Sequence, residues 1–588
     1  MRILLLAHAF NSLTQRLWAE LQARGHTLSI EFDIADAVTE EAVALFRPEL
    51  VVAPYLRRAI PEPVWRGVRC LVVHPGIVGD RGPSALDWAL QEGEARWGVT
   101  VLQAEAEMDA GPVWASVEFP LRPAKKSSIY RNEVSAAALQ AVLLAIERIE
   151  GAATVERLQS RLPVERIEGC PYVPPRPEHV PGARGRLRPL MRQADRALDW
   201  TRDSTEAILR HIRAADGFPG VADRLFGEPC HLYDAWPEAR LRGTPGEVIA
   251  RRETALLRAT VDGAVWIGHV KRAESIKLPA ALSFPEQSAA VPEAPPAGWW
   301  RATEPTWQDI AYEEQGAVGV LHFEFYNGAM SSAQCERLRS ALQWARARPV
   351  RVLVLAGGQD FWSNGIHLNA IEAESLQGGS AADASWRNIQ AMDDLALELI
   401  TTEGQLTIAA LAGNAGAGGC FLARAADLVW AREAVLLNPH YRNMGNLYGS
   451  EYWSYLLPKR LGAEAAQAVM RNRQPLTARA ALANGLIDDC LAGDAAAFGA
   501  EVARRAAGIA ADPAFAQRLA DKRAARAADE AAKPLAAYRA EELAQMRRNF
   551  YGFDPSYHVA RHHFVHKSPA SWTPRHLARH RELAGRPA

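Results

Sequence analysis

The sequence predicts a multidomain α/β protein, and three observations carry that reading. Apolar strands at residues 2–7, 50–53 and 71–73 alternate with amphipathic stretches such as 14–24, the pattern of a parallel sheet covered by helices. With 588 residues, 48% of them hydrophobic, the chain has core enough for about three or four domains. Further on, two glycine-containing loops each follow an apolar strand, at residues 350–355 and 406–411.

The first strand is not followed by a dinucleotide glycine fingerprint. Its place is taken by Ala9-Phe-Asn-Ser-Leu-Thr-Gln-Arg16, where Asn11, Ser12 and Gln15 can face a ligand at the carboxyl end of the sheet. The strand at 71–73 leads into His74-Pro-Gly-Ile-Val-Gly-Asp-Arg-Gly-Pro-Ser84, and Asp109 follows in Met108-Asp-Ala-Gly-Pro-Val113. An imidazole that titrates near neutrality beside a carboxylate suits proton transfer during acyl transfer. Lys125, Lys126 and Arg131, beside Ser127 and Ser128, have the chemistry to bind phosphates or form an exposed basic turn. A Pro- and Arg-rich passage at 170–189 closes this region, giving a first domain at 1–185 and a β-rich one at 186–276.

Residues 277–306 have linker composition, rich in Pro, Ala and Glu without periodicity, and Trp299-Trp300 is expected to anchor that linker. The last region, 307–588, holds the two loops Phe361-Trp-Ser-Asn-Gly-Ile-His-Leu368 and Leu411-Ala-Gly-Asn-Ala-Gly-Ala-Gly-Gly-Cys-Phe421 and ends in Ala/Arg/Glu-rich helices. Glycines let backbone approach a ligand closely, so N–H groups from two loops can converge on one thioester oxygen as an oxyanion hole. A helix opening near Cys420 would add its N-terminal dipole. His558, His562 and His566 recur every four residues, on one helical face beside His563, but no carboxylate or cysteine accompanies them in ligand spacing. No metal is therefore assigned.

The 67 basic and 68 acidic residues nearly cancel, which speaks against nucleic-acid binding by bulk electrostatics. Neither a leader segment nor a membrane-spanning run is read from the sequence, and the six cysteines lack CxxC spacing. The expected compartment is the cytoplasm.

The two-loop signature resembles the enoyl-CoA hydratase/isomerase (crotonase) family, and by position in that pattern the oxyanion donors are the N–H groups of Ile366 and Gly418. The upstream signature resembles formyltransferases that use 10-formyltetrahydrofolate, with His74 and Asp109 at catalytic positions. That resemblance implies a Rossmann-like first domain and a small β-barrel second domain. Two departures stand out: Val72 occupies the place of the usual asparagine, and the loop after His74 is one residue short.

The order of the two halves resembles the HypX/HoxX family of hydrogenase maturation factors. The resemblance implies synthesis of the carbon monoxide ligand of [NiFe]-hydrogenase: formyl transfer from 10-formyltetrahydrofolate to coenzyme A, then cleavage of formyl-CoA. It also implies transient [NiFe]-hydrogenase maturation proteins as partners. Where hydratases carry two glutamates, Phe421 and His440 stand here, while Tyr441 and Glu451 match residues proposed as catalytic in the family. The residues leave Glu451 able instead to pair with Arg442 or Lys459. Two other functions stay open: an amine formyltransferase joined to an ordinary acyl-CoA hydratase or isomerase, and a non-catalytic assembly scaffold.

Overall fold

The computed structural model describes residues 1–159 and 172–583; Cys170 and the beginning of the Pro- and Arg-rich passage lie outside them. The chain forms two compact units. One comprises residues 1–224, 231–235 and those from Pro569 onward, and the other comprises 225–230 with 236–568.

The first unit is built on six strands: β1 (Arg2–Ala7), β2 (Thr27–Phe32), β3 (Leu50–Tyr55), β4 (Cys70–His74), β5 (Arg96–Gln103) and β6 (Val113–Pro120). Their order is β2-β1-β3-β4-β5-β6. The first four are parallel, with Arg2 opposite Thr27 and Val51 opposite Cys70. The sheet is mixed rather than wholly parallel, because β5 runs antiparallel to both β4 and β6. The short 104–112 connection explains one of these pairings: a parallel crossover needs a dozen residues or more, so β5 and β6 can only form an antiparallel pair. That connection carries Asp109, and β4 ends on His74 directly opposite Thr100.

Leu13, Leu17, Trp18 and Leu21 of the helix Ser12–Ala23 pack with Ile3, Leu5 and Val52 in the core beneath the sheet. The edge strand β2 is covered by the chain's own end. The Ile30 N–H donates to the Leu577 carbonyl at 3.0 Å and the Phe32 N–H to Thr573 Oγ1 at 2.8 Å. The buried Glu31 carboxylate accepts from Thr573, from Arg581 at 2.8 Å, and lies 3.0 Å from His580 Nε2. Residues from Pro569 on thus belong to the first unit, which corrects the expectation that 307–588 is one domain. A buried carboxylate and an unpaired strand edge both demand partners, and the tail supplies them.

In the second unit, the antiparallel strands Val248–Arg252, Ala255–Ala259, Ala264–Arg272 and Lys277–Pro279 belong to a sheet whose strand path stays open, where a closed small barrel was expected. The stretch expected to be a linker is packed instead. It begins with strand Lys277–Pro279 and the short helices Ala280–Ser283 and Pro285–Ala289. The Arg251 N–H then donates to the Pro292 carbonyl and the Ala294 N–H to the Arg251 carbonyl, at 2.8 Å each. Extended proline-rich backbone has no periodicity to read, yet its carbonyls still pair. Trp300 meets Tyr312 and Trp344 edge-on, with the Arg348 guanidinium over its ring.

A further six-stranded sheet follows, in the order Ile310–Gln315, Val318–Phe323, Val352–Gly357, Leu406–Leu411, Leu428–Arg432, Asp489–Leu491. Only its first pair is antiparallel. A small second sheet joins Phe361–Ser363, Asn414–Gly416, Leu436–Asn438 and Leu476–Thr477. Helix Ser332–Arg346 starts on a capping box in which Ser331 and Gln334 satisfy each other's backbone. Helix Ala381–Ile400 starts on a Ser380 cap, and helices Ala495–Ala511, Phe515–Ala532, Leu535–Tyr551 and Ser556–His566 follow the second sheet. No helix among the described residues is long and apolar enough to cross a membrane.

Candidate functional site

In the first unit, His74 lies between two carboxylates. Its Nε2 is 3.0 Å from Asp80 Oδ2 and its Nδ1 is 3.6 Å from Asp109 Oδ2. All three residues are brought to the end of β4 by backbone that admits little else. A side chain at Gly76 would meet His74 Nε2 at 2.4 Å and Asp80 Oδ2 at 2.7 Å. Asp109 has φ of 56°, a left-handed conformation that Asp tolerates better than most residues, and its carboxylate accepts from the Gly82 N–H at 3.3 Å. Arg188 Nε sits 3.3 Å from the buried Asp80, with its guanidinium over the Trp97 ring. Asp80 thus has a guanidinium beside one oxygen and the imidazole on the other, which fixes the ring's orientation. The residue lies inside the segment that drew attention to His74, but nothing in the sequence distinguishes it from a turn aspartate.

The expected ligand contacts of this unit fall into two groups. Asn11 caps helix Ser12–Ala23, accepting from the Thr14 N–H at 3.0 Å, and bonds the hydroxyl of Tyr130, whose pKa burial raises. Asn11 thus ties the start of that helix to the segment Tyr130–Val134 that carries Arg131. Gln15 Nε2 donates to the Phe10 carbonyl at 2.9 Å. Lys125 Nζ lies 2.6 Å from Asp234, and Lys126 Nζ lies 2.9 Å from Asp87 and donates to the Phe218 carbonyl. The pair is half-buried and neutralised by carboxylates, so the exposed basic turn is not what forms.

In the second unit the two loops meet. The small sheet pairs Phe361 with Asn414 and Ser363 with Ala415, and a Cβ on Gly365 would lie 3.4 Å from the Gly418 nitrogen. Ile366 is held by a bridge to Met330, and Met330 donates its N–H to the Gly365 carbonyl. Helix Gly418–Arg424 opens on Gly418, two residues earlier than expected, so that residue's N–H has no acceptor within the helix. Just before it Ala417 holds φ of 47°, strain that the Ala417 N–H offsets by donating to the Asn438 carbonyl at 2.9 Å.

Glu451 faces this junction. A Cβ on Gly418 would meet Glu451 Oε1 at 2.4 Å, so only glycine leaves room for the carboxyl group. The Tyr441 hydroxyl donates to Glu451 Oε2, and the Tyr441 ring stacks on Phe421 with centroids 5.5 Å apart. The pair that sequence spacing left open is in contact, whereas Arg442 donates to the Met470 carbonyl and Lys459 to Asp529. Glu451 and Tyr452 both have left-handed φ, 59° and 60°.

A second buried acid secures that turn. Asp393 Oδ1 accepts from Ser450 Oγ at 2.7 Å and from the Glu451 N–H at 2.8 Å, while Arg539 Nε stands 3.7 Å from Oδ2. Glu542 accepts from the Tyr452 and Ser454 N–H groups at the start of helix Trp453–Leu461. Burial, and then the charge of Asp393, push Glu451 up to about 8; burial also raises Asp393 to about 6 and Glu542 to about 8. Burial and the Glu451 charge hold Tyr441 well above the usual phenol range, so it stays a donor. Asp393 and Glu542 sit on helices more than fifty residues away in either direction, and no local pattern marks them.

The comparisons with known proteins follow this division. The formyl transferase family matches residues 31–146, the formyl transferase C-terminal domain residues 190–284, and the enoyl-CoA hydratase/isomerase family residues 313–575. Methionyl-tRNA formyltransferase of Dechloromonas aromatica is 25% identical over 249 residues, covering 42% of this chain and 73% of that protein. The hydrogenase maturation factor HoxX of Bradyrhizobium diazoefficiens is 53% identical over 591 aligned residues, spanning 100% of this chain and 99% of the relative. The crystal structure of HypX from Aquifex aeolicus in complex with tetrahydrofolic acid superposes with a TM-score of 0.91 at 44% identity, covering 99% of each chain. With likeness of that extent in both sequence and structure, the chain belongs to the HypX/HoxX family of hydrogenase maturation factors.

Proposed function

We propose that the chain makes carbon monoxide for the [NiFe]-hydrogenase metal centre in two steps: formyl transfer from 10-formyltetrahydrofolate to coenzyme A, then decarbonylation of formyl-CoA. The observation that carries the reading is the buried Glu451 carboxyl group set against Gly418 with Tyr441 donating to its far oxygen. A hydratase must place water and a proton across a double bond, and Phe421 and His440 offer neither of its carboxylates. Glu451, by contrast, suits removal of a formyl proton beside a polarised thioester carbonyl.

In the first step, a C–S bond forms between the thiol and the formyl carbon and the C–N10 bond of the folate breaks. His74 takes the thiol proton and returns one to the leaving nitrogen. Asp80 and Asp109 hold the imidazole in place and stabilise its charged form during the transfer. The tetrahydrofolate bound by the Aquifex aeolicus relative supports a folate donor. Asn11, Ser12, Gln15, Lys125 and Arg131 are proposed to line the ligand groove of this half.

In the second step, the N–H groups of Ile366 and Gly418 polarise the thioester oxygen. Glu451 Oε1 accepts the formyl proton, the C–H electron pair stays on carbon as CO forms, and the C–S pair leaves with sulfur. The same carboxylic acid is then the proton donor nearest the departing thiolate, so one residue completes the cycle while Tyr441 orients it. A raised pKa makes Glu451 a stronger base when ionised, at the cost of a smaller ionised fraction at neutral pH. Isotopically labelled formyl donor tests the reading: labelled CO is expected, and unlabelled CO or labelled formate alone overturns it. The partners of this product are proposed to be [NiFe]-hydrogenase maturation proteins.

A further inference from the structure

We propose that Glu372, His562 and His566 form a binding site for a zinc-type divalent metal ion in the crotonase-like unit, separate from the Glu451 centre. The histidines lie one turn apart on helix Ser556–His566, and Glu372 comes from helix Leu368–Leu376. His562 Nδ1 is 3.1 Å and His566 Nε2 is 3.0 Å from the same oxygen, Glu372 Oε1. The three donor atoms all lie within 4.8 Å of one another, and the imidazole centroids are 4.2 Å apart. A tetrahedral ion with bonds of about 2.0–2.1 Å sets its ligand atoms roughly 3.3 Å apart, close to the two Glu–His spacings. Two imidazoles and one carboxylate are also the donor set that such ions favour.

The surroundings are those of an oriented metal ligand. Arg561 Nε donates to Glu372 Oε2 at 2.8 Å, which leaves Oε1 as a single donor aimed at the histidines. Arg561 Nη1 also contacts His558 Nδ1 at 2.7 Å, and His558 Nε2 is 2.9 Å from the Phe550 carbonyl. Such outer partners fix the carboxylate in one rotamer. Glu372 is buried, while the side chains of His562 and His566 are 56% and 30% exposed, so an ion can enter from solvent and keep a water in its fourth position. The His-x3-His spacing was visible in the sequence. The missing carboxylate lies 190 residues upstream of His562, so no ligand-spacing rule applied to the sequence reaches it.

The consequence reaches the oxyanion loop. Helix Leu368–Leu376 begins directly after Ile366 and His367, and the buried His367, with its pKa lowered to about 4 by burial, caps it by accepting from the Ala370 N–H. An ion bridging Glu372 to the histidines would clamp helix Ser556–His566 to the helix that positions that loop.

The test uses the full-length chain without a polyhistidine tag, stripped with chelator and titrated with Zn2+ by calorimetry and with Co2+ by visible absorption. One Zn2+ per chain and the intense absorption of tetrahedral Co2+ are expected. The double variant His562→Ala/His566→Ala should lose stoichiometric Zn2+ binding, and Arg561→Lys should weaken it by about 10-fold, the cost of losing an outer partner. His563→Ala, the neighbour that contributes no donor, should bind as the parent does. Because His562 is mostly exposed, His562→Ala alone provides a folded comparison and should also lose the Co2+ spectrum. Absence of a stoichiometric site, or a site that survives the double variant unchanged, overturns the proposal and leaves a cluster held by hydrogen bonds only.

Discussion

The two candidate centres hold their central side chains in contrasting electrostatic settings. His74 sits between the Asp80 and Asp109 carboxyl groups, with the Arg188 guanidinium behind Asp80. Glu451 instead lies near a second acid, with Asp393 bonded to its own backbone N–H, and Arg539 Nε stands 3.7 Å from Asp393 Oδ2. Flanking carboxyl groups on both ring nitrogens hold an imidazole in one orientation. Burial beside another carboxyl group instead makes a carboxylate that binds protons tightly, the property needed to take one from carbon. Both centres use left-handed backbone at non-glycine residues: Asp109 in one, Ala417 and Glu451 in the other. Backbone strain is thus common to the two sites, and charge arrangement is what separates them.

The contrast is broken most severely at Glu451. Glu451→Gln keeps the shape and the contact with Tyr441 but cannot accept a proton. CO release from supplied formyl-CoA should fall by about 1,000-fold, within the range for loss of a general base. Formyl-CoA should accumulate or hydrolyse to formate, as followed by chromatography of the thioester. Retention of parental CO output would show that the base lies elsewhere.

At the other centre, His74→Ala and Asp109→Ala should each lower formyl-CoA formation by about 100-fold or more, while turnover of supplied formyl-CoA stays at the parental rate. Asp80→Asn is the sharper probe, because it keeps size and removes only charge. If paired charge defines this centre, the variant should lose about 10-fold in formyl transfer, since the carboxylate on Nε2 is replaced by a neutral amide. An unchanged rate of formyl transfer would reduce Asp80 to packing.

How far each centre was legible in the sequence follows from how local its parts are. His74, Asp109 and the loops of Ile366 and Gly418 sit in short motifs, where glycine and proline leave a readable trace, whereas Tyr441 and Glu451 were named only through the family resemblance. Asp80 was in plain view without a distinguishing neighbour. Asp393, Glu542 and Glu372 were not legible, since each is one acidic residue on an amphipathic helix and its role depends on what packs over it. The tail was hidden for the same reason: Glu31 meets Thr573, His580 and Arg581 across more than 500 residues. The antiparallel β5 was missed because apolar runs show that a strand exists but not its direction.

Asp393→Asn tests the like-charge half of the contrast directly. Asparagine retains an acceptor for Ser450 Oγ and the Glu451 N–H, so the turn should hold, but the charge that raises Glu451 is gone. Glu451 works as a base only when ionised, and its pKa stands near 8. The parental rate of decarbonylation should therefore climb as pH rises from 6 through the apparent pKa of the coupled pair. Without Asp393's charge that limb should move to lower pH, so the variant gains on the parent at pH 6 and loses the advantage at pH 9. A limb that stays in place would mean that burial alone sets the affinity of Glu451 for its proton.

The smallest change expected is at Tyr441. Tyr441→Phe keeps the ring stacked on Phe421 and removes only the hydroxyl that donates to Glu451 Oε2. One consequence is geometric: without that anchor the carboxyl group is free to turn away from Gly418, which lowers kcat. The other is electrostatic: the hydrogen bond stabilises the ionised carboxylate, so its loss raises the Glu451 pKa further and moves the rising limb to higher pH. The two effects act together near neutrality, for an expected loss of about 10-fold, and separate on the alkaline side of the variant's own rising limb, where the carboxylate is ionised and only the geometric part persists. A loss as large as that of Glu451→Gln at every pH would make Tyr441 itself the proton-transfer group, and the roles of the pair would then be exchanged.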